Sequence, residues 1–251
     1  MDKIIEISDL FFAYENNWVL KEINLEVKNG EFVAFLGPNG SGKSTLFKLI
    51  LGFLKPQKGK IKIFGQPAEK FSARGRVGYI SQNVREFNQS FPATAGEIVG
   101  ANLYQEMGMF KLLTPALKAR IKKALQLVDM EDLKNKPIGK LSGGQQQRVF
   151  IARTLVTEPD LILLDEPLVG VDQEAQNDFY KVINQLHREL GITIIMISHD
   201  LHVISNQVNR IVCFGGGRIF PHCASEFDYN DYIRQARKED KLLIPSHHHE
   251  E

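Results

Sequence analysis

The first part of the chain alternates apolar and polar residues, as half-buried β-strands do. Ile23, Leu25 and Val27 occupy every second position, and the same spacing occurs close to the N-terminus. Turn-forming residues at 16–17 and 29–30 separate these stretches. Alternation bounded by such turns predicts strands joined by hairpins.

Further along, the pattern changes twice. Residues 32–36, 161–164 and 192–197 are short, continuously apolar runs, which are typical of strands buried on both faces. Residues 173–190, between the last two runs, have the length of a crossover helix. From about 94 to 155 the apolar positions recur every three or four residues, which predicts helices. The residues that carry this spacing are Leu112, Leu117, Ile121, Leu125 and Val128.

Composition narrows the class of protein. The 251 residues are 43% hydrophobic and 24% charged, values that are ordinary for a folded domain. A net charge of +1 argues against binding nucleic acid through bulk charge. The apolar runs are far shorter than the roughly 18–20 residues that span a bilayer. We therefore expect no contact with nucleic acid, and expect any membrane span to belong to a partner chain.

A glycine-rich motif follows the first apolar run. Residues 37–44 match G-x-x-x-x-G-K-[ST] between a predicted strand and a predicted helix. Backbone N–H groups of such a loop cradle phosphate oxygens, Lys43 reaches the β- and γ-phosphates, and Ser44 ligates Mg²⁺. A turn with a solvated lysine is the alternative. The candidate nucleotide-binding residues are Gly37, Pro38, Asn39, Gly40, Ser41, Gly42, Lys43, Ser44 and Thr45.

Two acids end the second apolar run. Asp165 can hold Mg²⁺ directly or through water, and Glu166 can position or deprotonate an attacking water. Two solvated acids at the end of a strand are the alternative, but an acidic pair in the same chain as a phosphate loop favours nucleotide hydrolysis.

The residues Leu141-Ser142-Gly143-Gly144-Gln145 carry a family resemblance. With the phosphate loop before them and the acidic strand after them, the sequence resembles the nucleotide-binding subunit of an ATP-binding cassette (ABC) transporter over about residues 1–220. The resemblance implies an α/β fold, in which a P-loop NTPase core carries an N-terminal antiparallel β subdomain and a helical subdomain at about 84–157. We expect one domain at 1–225 and a polar tail at 226–251.

The resemblance also implies a dimer and an ATPase. Ser142 and Gly144 begin a predicted helix and can bind an anion there. In the family's head-to-tail pairing they contact the γ-phosphate that Lys43 of a second copy holds. The implied cofactors are ATP and Mg²⁺.

Four more positions resemble family residues one by one. Tyr14 resembles the aromatic that stacks on adenine, with a core strand aromatic as the alternative. Gln82 resembles the glutamine that senses Mg²⁺ and water. His199 resembles the histidine that contacts the γ-phosphate, although a lone histidine after a strand is often structural. Asp172 resembles the aspartate of the loop that communicates across the dimer, although the residues before it differ from the common pattern.

Softer signals resemble the subunits that energise zinc and manganese importers. They are the segments 91–94, 169–172 and 198–201, Cys213, and the His222-Cys223 pair. The implied partners are a membrane permease, which binds around residues 82–94, and an extracytoplasmic metal-binding protein. The chain is then expected at the cytoplasmic face of the membrane. An ABC importer or exporter for another substrate, or a soluble ABC protein of DNA repair or translation, remains an alternative.

Overall fold

The computed structural model describes residues 2–71, 75–81, 92–109, 112–168, 173–198, 208–224 and 227. The chain divides into two compact units. The first combines Met1–Ala73 with Thr193–Glu251, and the second is the continuous stretch Arg74–Ile192. No helix among the described residues is long and apolar enough to cross a membrane.

An antiparallel sheet forms one part of the first unit. The long strands β1 (Lys3–Tyr14) and β2 (Asn17–Lys28) form a hairpin, and β4 (Lys58–Ile63) and β5 (Gln66–Pro67) continue the sheet on the other side of β1. The alternating residues of β2 bury one face, as the sequence predicts.

A second group of strands in the first unit contains the strand that leads into the phosphate loop, together with its neighbours. β3 (Phe32–Leu36) lies between the parallel strands β8 (Thr193–Ile197) and β9 (Arg210–Gly215), and β10 (Arg218–Cys223) pairs antiparallel with β9. All five residues of β3 and of β8 are buried, as expected of strands that are covered on both faces. Helix α1 (Lys43–Ile50) follows β3, and the Phe47 ring of this helix packs on Phe35 of β3 with centroids 5.6 Å apart.

Among its described residues, the second unit contains two parallel strands and four α-helices. β6 (Val77–Ile80) pairs with β7 (Leu161–Asp165). The helices are α2 (Ala95–Gly100), α3 (Pro115–Gln126), α4 (Gly143–Leu155) and α5 (Gln173–Leu190). Thr94, Thr114 and Ser142 each accept a backbone hydrogen bond as N-cap residues, which fixes where α2, α3 and α4 begin.

Most predicted elements are confirmed, but the helical pattern starts too early. Leu112 lies outside α3 and is 71% exposed, so its assignment to the helical stripe is wrong. Pro115 occupies the first turn of α3, and its ring disfavours helical backbone at the preceding residue. Thr114 accordingly has an extended backbone, with a ψ of 161°.

Candidate nucleotide-binding site

Three glycines of the phosphate loop have a positive φ, and at two of them an added Cβ would also collide with a neighbouring strand. Gly37 has a φ of +147°, and a Cβ there would lie 2.6 Å from the carbonyl oxygen of Phe214 on β9. Gly42 caps α1 with a φ of +101°, and a Cβ there would lie 2.7 Å from Cδ2 of Leu20 on β2. The loop therefore packs closely against β9 on one side and β2 on the other, and a side chain at either glycine would distort it.

A buried ammonium group lies at the start of α1. Lys43 is only 4% exposed, and its Nζ donates hydrogen bonds to the carbonyl oxygens of Gly37, at 2.8 Å, and Pro38, at 2.9 Å. The Oγ of Ser41 is also buried, and it has no hydrogen-bond partner among the described residues. Ser44 and Thr45 lie in the first turn of α1, where backbone N–H groups lack partners within the helix. The positive charge of Lys43 and the N–H groups at a helix start together suit a phosphate group.

The hairpin β1–β2 presents Tyr14 on the same side as the loop. Tyr14 ends β1, is 44% exposed, and packs edge-on against Phe12 with centroids 4.9 Å apart. Phe12 is paired with Leu20, which together with Val19 lies against Gly42. Tyr14 is therefore not a core aromatic, and it shares the face of the hairpin that packs on the loop.

Trp18 belongs to the other face of the hairpin. It is paired with Ala13, and its ring packs edge-on against Phe11 at 6.0 Å. Because side chains alternate along β1, Phe11 and Ala13 point away from the face of Phe12 and Tyr14. Of the two exposed aromatics at this end of the hairpin, Tyr14 is the one on the loop side.

The acidic pair lies at the end of β7 in the second unit. Asp165 is 7% exposed, and Glu166 follows it with a left-handed φ of 48°. The hydroxyl of Tyr79, on the neighbouring strand β6, donates a hydrogen bond of 3.1 Å to Oδ2 of Asp165. Burial, and then the charge of Asp165, raise the pKa of Tyr79 above its ordinary value near 10. The phenol therefore stays protonated and acts as a donor that orients the carboxylate.

Tyr79 was not predicted as a site residue. The sequence does show it three residues before Gln82, next to the end of a predicted strand. An aromatic residue in a strand is usually a packing residue, however, and only the pairing of β6 with β7 brings its hydroxyl to Asp165.

The segment 141–145 forms the beginning of α4. Ser142 is the N-cap: its Oγ accepts from the N–H of Gln145 at 3.3 Å, and the Gln145 side chain accepts from the N–H of Ser142 at 3.0 Å. This capping box holds the helix start rigidly. Ser142 and Gly144 line an open cavity of about 500 Å³ together with Arg148 and Glu174.

Several predicted site residues lie outside the described residues. They are Gln82, Asp172 and His199, as well as the segment 82–91 and almost all of the tail at 226–251. The expected boundaries of the domain and of the helical subdomain remain predictions.

The described cysteine and histidine residues do not gather into a metal site. Cys213 is buried in β9, where desolvation raises the pKa of its thiol to about 12, whereas Cys223 on β10 is exposed. No group of three or more potential metal-ligating side chains occurs within the part of the chain that the structure describes.

Residues 20–169 match the family model described as ABC transporter, and this stretch contains the phosphate loop, the cap of α4 and the acidic pair. The chain belongs to the ABC transporter family. It is an ABC ATPase, so the family, fold class and enzymatic activity expected from the sequence are confirmed.

Individual members of the family are similar over nearly the whole chain. The zinc uptake system ATP-binding protein ZurA of Listeria innocua is 41% identical, with 97% of each chain covered. The structure of cbiO1 from Clostridium perfringens, part of the ABC transporter complex cbiONQ, has a TM-score of 0.81 and 32% identity, covering 95% of this chain and 96% of that one. A dimeric post-hydrolysis structure of the cassette MJ0796, bound to ADP and Pi, has a TM-score of 0.71 and 28% identity, covering 89% of this chain and 100% of that one.

Proposed function

We propose that this ABC ATPase energises the uptake of zinc through a separate membrane permease. The observation that carries the proposal is the 41% identity to a zinc uptake ATP-binding protein over 97% of both chains. Manganese, which the sequence signals leave open beside zinc, and an unrelated substrate are the alternatives that the experiment below separates.

The phosphate loop binds the triphosphate of ATP in this proposal. Lys43 is already buried beneath the loop, so a γ-phosphate that accepts from its Nζ meets a desolvated positive charge. The backbone N–H groups at the start of α1 donate to the β-phosphate. Tyr14 stacks on the adenine base.

Three oxygen-bearing side chains are suited to Mg²⁺. They are the Ser44 hydroxyl, the Gln82 amide and the Asp165 carboxylate, and oxygen ligands are those that Mg²⁺ prefers. The carboxylate is buried and oriented by Tyr79, which reduces the ordering required when it ligates a cation. When bound, Mg²⁺ would supply positive charge that offsets the negative charge of the phosphates.

Glu166 is the proposed general base. Its carboxylate takes a proton from the water that attacks the γ-phosphorus, and the bond from that phosphorus to the β–γ bridging oxygen breaks to give ADP and phosphate. His199 contacts the γ-phosphate and organises the water, Gln82 senses Mg²⁺ and water, and Lys43 stabilises the developing charge.

A head-to-tail dimer completes each site. Ser142 and Gly144 of one copy contact the γ-phosphate that the other copy binds, and Asp172 links the two halves. The start of α4 suits this role because its cap is rigid and Gly144 has no side chain. The MJ0796 cassette, at 28% identity, is a dimer bound to ADP and Pi and supports this arrangement.

The permease and the cellular location follow from the transport role. We place the dimer at the cytoplasmic face of the membrane, on permease subunits that bind around residues 82–94, with an extracytoplasmic metal-binding protein delivering the cargo. The cbiO1 protein, which is part of a transporter complex, supports the association with other subunits.

The transported metal can be identified by measuring the metal content of cells. Cells that carry Glu166→Gln in place of the wild-type chain are grown at limiting metal, and Zn, Mn, Fe, Co, Ni and Cu are measured by mass spectrometry. We expect a selective fall in zinc, with ATP still bound and ATP hydrolysis lost. Glu69→Gln is the matched control, since Glu69 is an exposed carboxylate that belongs to none of the motifs.

Each outcome has one meaning. A selective fall in manganese would show that manganese, not zinc, is the cargo. Unchanged contents of all six metals, with ATP hydrolysis demonstrably lost, would refute metal uptake. Undiminished hydrolysis by Glu166→Gln would remove Glu166 as the base. Ser142→Arg tests the dimer separately: ATP hydrolysis is lost while the monomer still binds ATP, and a monomer that no longer binds ATP would contradict the cross-dimer role.

A further inference from the structure

The strand that ends in Tyr14 is paired with β2 up to its last residue but loses its other neighbour, β4, before it ends. On the β4 side, the pairing of β1 stops at Phe11, which is opposite Lys58. Two positions before Lys58 comes Pro56, which has no backbone N–H to offer to a ladder. Ala13, the residue before Tyr14, therefore has no backbone partner from β4.

At this point a glutamine side chain makes the hydrogen bonds that a backbone partner on β4 would otherwise make. Oε1 of Gln57 accepts from the N–H of Ala13 at 3.0 Å, and Nε2 of Gln57 donates to the carbonyl oxygen of Ala13 at 2.8 Å. The backbone N–H of Gln57 also donates to the carbonyl oxygen of Phe11 at 3.0 Å. A carboxamide has the same donor and acceptor as a peptide group, so Gln57 extends the β1 ladder by one step.

These contacts matter because of the residue that follows. After Tyr14 the chain reverses at Glu15, which has a φ of 52°, so Tyr14 lies at the very end of the strand. The ends of strands fray where backbone groups lack partners. The two hydrogen bonds at Ala13 fix the peptide groups on the N-terminal side of Tyr14, while the edge-on contact with Phe12 fixes its ring.

We propose that Gln57 is a positioning residue for the base of the nucleotide. It holds the end of β1 so that the Tyr14 ring is ordered before adenine arrives, and binding then costs less conformational entropy. Gln57 itself does not touch the nucleotide. The inference rests on the proposed function, in which Tyr14 stacks on adenine.

The experiment separates the base from the phosphates. Dissociation constants of ATP and of inorganic tripolyphosphate are measured by titration calorimetry for the wild type, Tyr14→Ala, Gln57→Ala and the double variant. We expect Gln57→Ala to weaken ATP binding by about three- to tenfold, a part of what a stacked base contributes. Tripolyphosphate binding stays unchanged, and the double variant binds ATP no more weakly than Tyr14→Ala alone.

Two further variants control for general damage. Gln57→Asn keeps the carboxamide but shortens its reach by one methylene, so it behaves as Gln57→Ala does. Gln66→Ala removes an exposed glutamine from β5 of the same sheet and leaves both dissociation constants unchanged.

The outcomes distinguish this inference from the function on which it rests. If Tyr14→Ala weakens ATP binding and Gln57→Ala does not, the positioning role is overturned and the function stands. Equal weakening of ATP and tripolyphosphate binding by Gln57→Ala also overturns it, because the loop itself has then changed. If Tyr14→Ala leaves ATP binding intact, base stacking on Tyr14 fails and the role of Gln57 fails with it.

Discussion

Removing the Tyr79 hydroxyl is the smallest change that tests how Asp165 is held. Tyr79→Phe keeps the half-buried ring and deletes only the 3.1 Å hydrogen bond to Oδ2. A hydrogen bond to a charged group contributes about 1.5–3 kcal/mol, and partial exposure favours the lower end, about 1.5 kcal/mol. For a chain of this size, each kcal/mol shifts the unfolding midpoint by roughly 2–4 °C, so we expect a fall of about 3–6 °C.

The assay is thermal unfolding followed by circular dichroism in EDTA, so that bound cations do not contribute. Tyr14→Phe is the matched control, because it deletes a phenol hydroxyl from a side chain that is 44% exposed and should leave the midpoint unchanged. Equal midpoints for the wild type and Tyr79→Phe would refute the claim that this hydrogen bond orders the end of β7.

The stability difference between the wild type and Tyr79→Phe should also change with pH, in a direction that the pKa of Tyr79 sets. The pKa of Tyr79 is raised in the folded chain, so the folded state keeps this proton at pH values where the unfolded state has released it. The stabilisation is therefore complete below about pH 10, the unfolded value, and decreases as the pH rises above it. The difference in stability between the wild type and Tyr79→Phe should narrow above pH 10, and a difference that widens there would contradict the assignment.

Two further predictions concern the first unit. Gly42→Ala should weaken ATP binding and lower the free energy of unfolding, measured in urea, by about 1–3 kcal/mol. The reason is that Gly42 has a φ of +101° and that the added Cβ would lie 2.7 Å from Leu20. Wild-type values of both quantities would contradict this account of the loop. In thiol titration with Ellman's reagent, the exposed Cys223 should react in the folded chain, whereas the buried Cys213, with a pKa of about 12, should react only after unfolding. Rapid reaction of both thiols in the folded chain would be the contrary result.

The sequence predicted the elements whose signals are local. The continuous apolar run Phe32–Leu36 is a strand buried on both faces, and residues 173–190 form α5, because run length and spacing depend only on neighbouring residues. The phosphate loop was equally predictable, since its glycines, Lys43 and Ser44 occupy fixed positions within eight residues.

The features that the sequence did not reveal depend on distant pairings. Gln57 meets Ala13, 44 positions away, because β4 pairs with β1 in one particular register. Tyr79 meets Asp165, 86 positions away, because β6 is parallel to β7. Neither side chain has an unusual local pattern, so only the three-dimensional pairing identifies its partner.

The first unit is discontinuous, and this has a consequence for synthesis on the ribosome. Phe32 of β3 is paired with Ile194 of β8, Ala34 is paired with Ile211 of β9, and the loop at Gly37 is moulded against Phe214. The second unit is continuous in sequence and can form while the rest of the chain is still being translated. The phosphate loop is translated well before β8 and β9, so we expect ATP to stabilise a nascent chain only after residues 193–215 have been made.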